Sequence, residues 1–438
     1  MVRARRIALV FILLLLGLSI GSSVMAQSEH VDVLTIKGAI TPVLTGYVER
    51  GIRHAEDTGA EALVIKLDTP GGLDTAMRDI IQAIIDSRVP VVVYVAPSGA
   101  RAASAGCYIL LSAHVAAMAQ NTVTGAATPI SIGDSGGEAD VSDELQAKIL
   151  NDAAAYIRTL ATTNGRNADW AEKAVREGVS ITEQEALDMN VIEVVAPDLP
   201  ALLTAIDGRQ ATLINGDVVT LHTAGAAATD RPMSLMESFL YAIADPNIAY
   251  LLLSVATLGI MAELFNPGLI FPGIIGGICL LLAFYALGTL PFNWAGILLI
   301  VLAIGLFVGE ALTTTFGIFT AGGIVSLVIG SMILFQGASP VFRIAPGLIA
   351  GVTIAVSGTL IFMVQRAVVT HRKQAFTGRE ELVGKTATVR VALNPDGTVF
   401  FKGERWSAVS DSGEIPSGEE VVIESMDGLV LHVSRKVS

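Results

Sequence analysis

Three stretches of this sequence hold residues able to act together in covalent chemistry. They are a serine among small residues, "SGARAASAG" (98–106), a glycine turn, "DTPGG" (68–72), and a lysine, Lys148, within "SDELQAKILNDAAAYIRTLATT" (142–163). A serine hydroxyl attacks a carbonyl only when a base takes its proton. The oxyanion formed needs N–H donors already in position. The nucleophile must also stand exposed on a rigid element.

Ser104 meets the last condition. It follows the β-rich run "VPVVVYVAP" (89–97) and precedes "SAGCYILLSAHVAAM" (104–118), read as continuing with helical spacing. It therefore falls at or near a helix N-terminus, where free N–H groups and the helix dipole favour negative charge. Ala103, Ala105 and Gly106 leave space around the hydroxyl. An ordinary helix-capping serine fits the same stretch, and taken alone the stretch reads better that way. Gly71 and Gly72 directly follow the strand "ALVIKL" and can turn N–H groups outward. With the Ala105 N–H they are the candidate oxyanion donors, although a plain strand–helix turn looks much the same.

The base decides between these readings. His114 lies ten residues along the expected helix, ~15 Å from Ser104 by the helical rise, and is out of reach. His54 sits in an earlier helical stretch with no Asp partner in view. Lys148 is better placed: Ser142 is a plausible N-cap, with Asp143 and Glu144 in the first turn. Leu145, Ile149, Ala153, Ile157 and Leu160 make one apolar face, with Lys148 on its flank. Partial burial there would disfavour the ammonium and provide the neutral amine that a general base requires. A lysine whose stem packs while its head reaches water fits equally. Asp152, one turn on, is left without a role.

The elements that must position these residues follow from patterning. Residues 27–230 alternate short β-rich runs with stretches of helical period, the pattern of an α/β unit with a parallel sheet. In "LDTAMRDIIQAIIDSR", Leu73, Met77, Ile80, Ile81, Ile84 and Ile85 form one helix face.

Hydrophobic residues make up 52% of the 438 and charged ones 16%, too apolar for an ordinary soluble protein. The excess lies at the N-terminus and over residues 240–370, where five apolar stretches each approach the length needed to cross a bilayer. Residues 1–26 have the basic start, apolar run and small-residue site of a secretory signal peptide, with an uncleaved anchor as the alternative. Arg366, Arg372, Lys373 and Arg379 follow the last stretch and place that end in the cytoplasm. Export of the α/β unit followed by five spans gives the same topology.

Within the spans, "ELFNPGLIFPGIIGGI" from Glu263 and "EALTTTFGIFTAGGI" from Glu310 suggest duplicated helix pairs. Their carboxylates are expected to be solvated at the interface rather than to form an ion path. Residues 378–438 alternate apolar and polar residues between Asp-Gly and Ser-Gly turns, as in a small all-β barrel of the OB type. Trp406, Phe400 and Phe401 are expected in its core.

A net charge of −13 argues against nucleic acid as a partner. Cys107 and Cys279 fall in different regions, so no disulfide is expected. No Cys/His cluster has metal-ligand spacing, and neither metal nor cofactor is expected.

The combination "DTPGG", "APSGARAASAG" and a helical Lys some forty residues on resembles the Ser/Lys proteases of the ClpP/crotonase superfamily. The domain order, the "NPGLIFPG" element and "GERWSAVS" resemble the full-length form of the NfeD family, membrane-bound serine proteases associated with stomatin-like proteins. The resemblance implies Ser104 as nucleophile, Lys148 as general base, and Gly71 and Gly72 in the oxyanion region. It implies a glycine-rich, mobile loop over 124–142. Hydrophobic stretches of membrane-associated proteins, stomatin-like ones first, become the expected substrates, the C-terminal barrel a partner-binding module, and a homo-oligomer the expected state.

Two other readings remain. A crotonase-type acyl-CoA enzyme shares the geometry, but export separates it from cytoplasmic CoA. A non-catalytic membrane scaffold that binds stomatin-like proteins has no need for an intact Ser104 and Lys148.

Overall fold

The strands of the first domain read as near-continuous apolar runs because both faces of their sheet are covered. In the computed structural model, which describes residues 30–130, 142–265, 268, 270–313, 317–335, 342–372 and 382–436, β1 (His30–Lys37) leads through α1 (Pro42–Thr58) to β2 (Ala62–Asp68). α2 (Asp74–Ile85) then leads to β3 (Val91–Val95). The short strand β4 (Arg101–Ala103) precedes α3 (Ala105–Ser112), β5 (Val115–Met118) and β6 (Val123–Gly125). α4 (Asp143–Thr163), α5 (Ala168–Arg176), β7 (Ser180–Thr182), α6 (Glu183–Asp188), β8 (Val194–Val195) and α7 (Leu199–Ile206) follow. A hairpin of β9 (Gln210–Thr212) and β10 (Val218–Thr220) and the strand β11 (Ala227–Asp230) complete the domain. The signal-peptide segment 1–26 lies outside the described residues.

The main sheet has six parallel strands in the order β11-β1-β2-β3-β5-β8, with Val31 opposite Ala62, Leu63 opposite Val91 and Val92 opposite Val115. Side chains alternate between its faces. Leu34, Ile36, Leu63, Ile65 and Leu67 join the core under α1 and α2, whereas Val31, Val33, Val64 and Val92 pack on the face with Leu202 and Leu203 of α7. The α2 face is buried as its spacing predicts, through Met77, Ile80, Ile81 and Ile84. A second small sheet, β4-β6-β7, pairs Ala103 with Gly125.

The expected helix over 104–118 is corrected here. It stops at Ser112, and residues 115–118 become β5 inside the main sheet. A short apolar run is ambiguous by period; the strand wins because Val115–Met118 is fully buried between β3 and β8.

α8 (Leu235–Ile243) begins with a capping box of Ser234 and Glu237 and links the α/β domain to an apolar helical region. Glu237 is held by Arg50 of α1 at 2.7 and 2.8 Å, and the Tyr241 hydroxyl bonds the carbonyls of Lys37 and Ala39. Five apolar helices follow: α9 (Pro246–Phe265), α10 (Ile270–Thr289), α11 (Trp294–Leu312), α12 (Ile318–Ile333) and α13 (Pro346–Arg372). Over Pro246–Leu264 and Ile270–Thr289 two of them are long and apolar enough to cross a membrane; Trp294–Glu310, Ile318–Ile333 and Pro346–Thr359 are shorter apolar segments.

α9 packs against α10 and α11 against α12. A Cβ on Gly276 would lie 2.9 Å from the backbone nitrogen of Ile260, and one on Gly330 would lie 2.9 Å from the Gly296 carbonyl, so each pair meets at backbone-to-backbone distance. Glu263 lies against Gly273 at the start of α10. Glu310 is 8% exposed, and its carboxylate accepts from the Gly317 and Thr320 N–H groups at 2.9 and 3.1 Å. The expected solvated carboxylate is thus corrected at Glu310: it is buried and caps α12, because those helix-start N–H groups need an acceptor where water is scarce.

Residues 361–438 form a separate unit. Its strands, β12 (Thr386–Val391), β13 (Asp396–Phe401), β14 (Glu404–Ser410), β15 (Glu420–Asp427) and β16 (Val430–Arg435), close a barrel in the order β12-β13-β14-β16-β15, with β14 and β16 parallel, as in an OB fold. Phe401 is buried in its core and Trp406 packs against that core, whereas Phe400 is half-buried beneath the Arg390 guanidinium, 5.1 Å from its ring centre.

Candidate active site

Ser104 occupies the joint between β4 and α3 with φ 53° and ψ −118°. That conformation is strained for a residue with a Cβ, and strain of this kind persists only where surrounding contacts enforce it. The enforcing contacts are visible. The Ser104 N–H donates to the Gly125 carbonyl at 2.9 Å, and the Cys107 N–H donates to the Ser104 carbonyl at 2.9 Å. Although Ser104 stands at the N-cap position, its side chain makes no capping bond. Its Oγ has no hydrogen-bond partner among the described residues, so the hydroxyl is uncommitted.

The "DTPGG" turn lies directly against it. Thr69, fully buried, bridges to Ala102: its N–H donates to the Arg101 carbonyl and its carbonyl accepts from the Ala103 N–H. Its Oγ1 both donates to the Gly71 carbonyl and accepts from the Gly71 N–H, each at 3.0 Å. Gly71 has φ 122°, and a Cβ there would lie 2.8 Å from the Cβ of Ser104. Glycine at 71 therefore makes room for the serine, while its N–H is turned into the Thr69 bond. The Gly72 and Ala105 N–H groups, by contrast, have no acceptor among the described residues, and both residues line the same cavity as Ser104. Those two N–H groups are the donors the turn leaves open.

The cavity measures ≈570 Å³. Lys148 lines it too, together with Tyr108, Ile130 and Ile149. Lys148 and Ser104 thus share a cleft but are not hydrogen-bonded to each other. The Lys148 Nζ is 2.8 Å from Glu144 Oε1, and its side chain is 69% exposed. The expected desolvation of Lys148 is corrected by this placement. The buried face of α4 begins only at Ala153; Leu145 is exposed and Ile149 half-buried, so the first two turns overhang the cleft. Residues 131–141 of the glycine-rich segment, expected to be mobile, lie outside the described residues.

The structure adds neighbours that the motifs did not suggest. Arg78 bonds Asp74 and Asp152, each at 2.9 Å, and its guanidinium lies 4.5 Å from the centre of the Tyr156 ring. Asp152 is therefore engaged by Arg78 rather than by Lys148; the Asp74-to-Arg78 spacing of one helical turn was the available signal. Tyr108 stacks on Tyr156 and donates to the Ala127 carbonyl, and burial raises its hydroxyl well above the usual phenol range.

Neither histidine serves the cleft. His114 accepts from the Val91 N–H through Nδ1 at 3.1 Å, and burial, with the nearby Arg166 charge, lowers it to about 4. His54 lies on α1 and does not line the cavity.

A parallel sheet flanked by a small second sheet, which together present a strained serine at a helix start, is the architecture of a ClpP/crotonase-type domain, here continued by apolar helices and a closed barrel. Residues 30–203 match the N-terminal domain of NfeD1b, 247–366 the NfeD integral membrane domain, and 379–435 the NfeD-like C-terminal, partner-binding domain. The chain is 40% identical to the membrane-bound protease PH1510 of Pyrococcus horikoshii, across 99% of this chain and 98% of that one. It is a membrane protein of the NfeD family. It is also 26% identical to the membrane protein NfeD1b of Bacillus subtilis, over 96% of this chain and 95% of that one. Among solved structures, a mutant of the 1510-N membrane-bound stomatin-specific protease in complex with a substrate peptide is 39% identical, covering 49% of this chain and 98% of its own at a TM-score of 0.46.

Proposed function

We propose that this protein is a membrane-anchored serine endopeptidase in which Ser104 is the nucleophile and Lys148 the general base. The observation that carries the reading is the strained, uncommitted Ser104 facing a cleft beside the open N–H groups of Gly72 and Ala105. Lys148 takes the Ser104 proton as Oγ attacks a scissile carbonyl, and Gly72 and Ala105 receive the oxyanion. The tetrahedral intermediate collapses to an acyl-enzyme as Lys148 returns the proton to the leaving amine. Water, deprotonated by Lys148, then releases the acyl group.

This sequence requires Lys148 to leave Glu144. An exposed pair one turn apart on a helix is worth only about 0.3–0.5 kcal/mol, so substrate binding can displace it. The catalytic domain (27–230) works outside the cell, five helices over 240–370 hold it to the bilayer, and the barrel (378–438) faces the cytoplasm. The proposed partner is a stomatin-like membrane protein, cleaved within a hydrophobic segment, and the proposed state of the enzyme is a homo-oligomer.

The Lys148–Glu144 pairing favours one other reading, a non-catalytic scaffold with the same partner. Labelling of detergent-solubilised full-length protein with a fluorophosphonate probe separates the two. The protease reading expects labelling of the unaltered protein that rises with pH and is lost in Ser104→Ala and Lys148→Ala. Equal labelling of all three moves the nucleophile elsewhere. Absence of both labelling and peptide cleavage leaves the scaffold.

A further inference from the structure

The cleft that holds Ser104 is not closed by the α/β domain alone. One lining residue, Phe342, comes from the connection between α12 and α13 and so belongs to the apolar helical region. Phe342 is 1% exposed and packs in the same hydrophobic cluster as Tyr250, Phe335 and Ile344. Leu73, directly after Gly72, packs against that cluster and also lines the cleft. Phe342 therefore forms a buried floor of the cleft, in a cluster that also touches Leu73 beside the glycine turn.

Both sides of this contact are fixed. The Ala345 N–H donates to Asn247 Oδ1 at the start of α9, at 2.9 Å. Across the contact, Ile40 donates to the Gly71 carbonyl at 2.9 Å and accepts from the Leu73 N–H at 3.0 Å, and Tyr241 of α8 holds the neighbouring Ala39 carbonyl at 3.2 Å. A buried aromatic floor held in this way limits the depth of a pocket, because close-packed interiors yield little to an oversized group.

We propose that Phe342 is a specificity-determining residue of the cleft, supplied by the membrane region: it sets the depth of the pocket beside the glycine turn. The pocket then accepts apolar side chains up to the size of leucine and rejects tryptophan. The proposal rests on the peptide-cleaving reading of the cleft. Removing the ring opens a void continuous with the cleft, which a larger ligand side chain can fill.

The test uses the full-length protein in lipid nanodiscs, carrying Ser104→Ala so that bound peptide is not consumed. Three fluorescein-labelled apolar heptapeptides, identical except for a central Ala, Leu or Trp, are titrated and followed by anisotropy. The unaltered floor is expected to bind the Leu peptide about tenfold tighter than the Trp peptide. Phe342→Ala should raise the Trp-to-Leu affinity ratio at least about tenfold, and Phe342→Trp should shift preference from Leu to Ala. Phe342→Leu, which keeps most of the volume, should fall between them.

An unchanged order of peptides across the variants overturns the proposal, as does a uniform loss or the absence of binding by the unaltered floor. A ratio measured within one variant is not mimicked by partial misfolding. Because this readout needs no turnover, its failure is distinct from failure of Ser104 labelling, which judges the protease reading itself.

Discussion

The Cβ that Gly71 lacks would lie 2.8 Å from the Cβ of Ser104, closer than two such carbons normally approach. The glycine turn and the serine are therefore fitted to each other, and the left-handed φ of 122° at Gly71 reinforces the constraint. Gly71→Ala should cost about 1–3 kcal/mol of stability and displace the hydroxyl. Fluorophosphonate labelling should fall by at least about a hundredfold, well beyond what the change in melting temperature explains. Labelling within twofold of the unaltered protein would separate the turn from the nucleophile.

Lys148 is paired with Glu144 at 2.8 Å in the structure. Glu144→Gln removes the competitor without altering side-chain length. With an exposed pair of this kind worth about 0.3–0.5 kcal/mol, cleavage should rise by about twofold, and more at low ionic strength than at high salt. An unchanged rate at both salt concentrations would mean that Lys148 does not have to leave Glu144 for turnover.

His114 supplies a pH dependence unrelated to the cleft. Its folded-state value of about 4 lies below the ordinary 6.5, chiefly through burial, so the unfolded chain binds the proton more readily. The stability it contributes is complete above pH 6.5 and is lost as pH falls from 6.5 towards 4, on the order of 3 kcal/mol in all. His114→Leu should flatten melting temperature against pH across that window while lowering it at pH 7, because the Val91 N–H loses its acceptor.

In the helical region, Glu310→Ala leaves the Gly317 and Thr320 N–H groups without their carboxylate. A loss of about 1–3 kcal/mol is expected, seen as a lower melting temperature in detergent. Glu310→Gln should retain part of it, since one amide oxygen still accepts. Fluorophosphonate labelling of Ser104 at temperatures below both transitions should not change.

Much of this arrangement is legible in the residues themselves. The 3.6-residue spacing of Met77, Ile80, Ile81 and Ile84 places α2, and the small residues around Ser104 mark the start of α3. What escaped reading depends on contacts between distant segments. Nothing within residues 142–163 reveals that burial of α4 begins only at Ala153, which is why the local pattern alone suggests a desolvated Lys148. The apolar run after Ala105 fits a helix as well as a strand, and only its place between β3 and β8 makes Val115–Met118 a strand. The role of Thr69 in tying up the Gly71 N–H is a matter of one rotamer, below the resolution of any motif. Phe342 carries no local signal at all, because its meaning comes from a cleft it shares with Gly72 and Leu73, far earlier in the chain.

The ring closure of the C-terminal strands limits how that unit can greet another protein. With β12 paired to β15 and β14 paired to β16, each of the five strands has a neighbour on both sides. A visiting segment therefore finds no strand with a wholly free edge to extend, the route open to sheets that do not close. Side chains on the barrel wall and its connecting turns then offer the larger recognition surface. Surface substitutions there, rather than changes to backbone pairing, would be the means by which relatives diverge in what they hold.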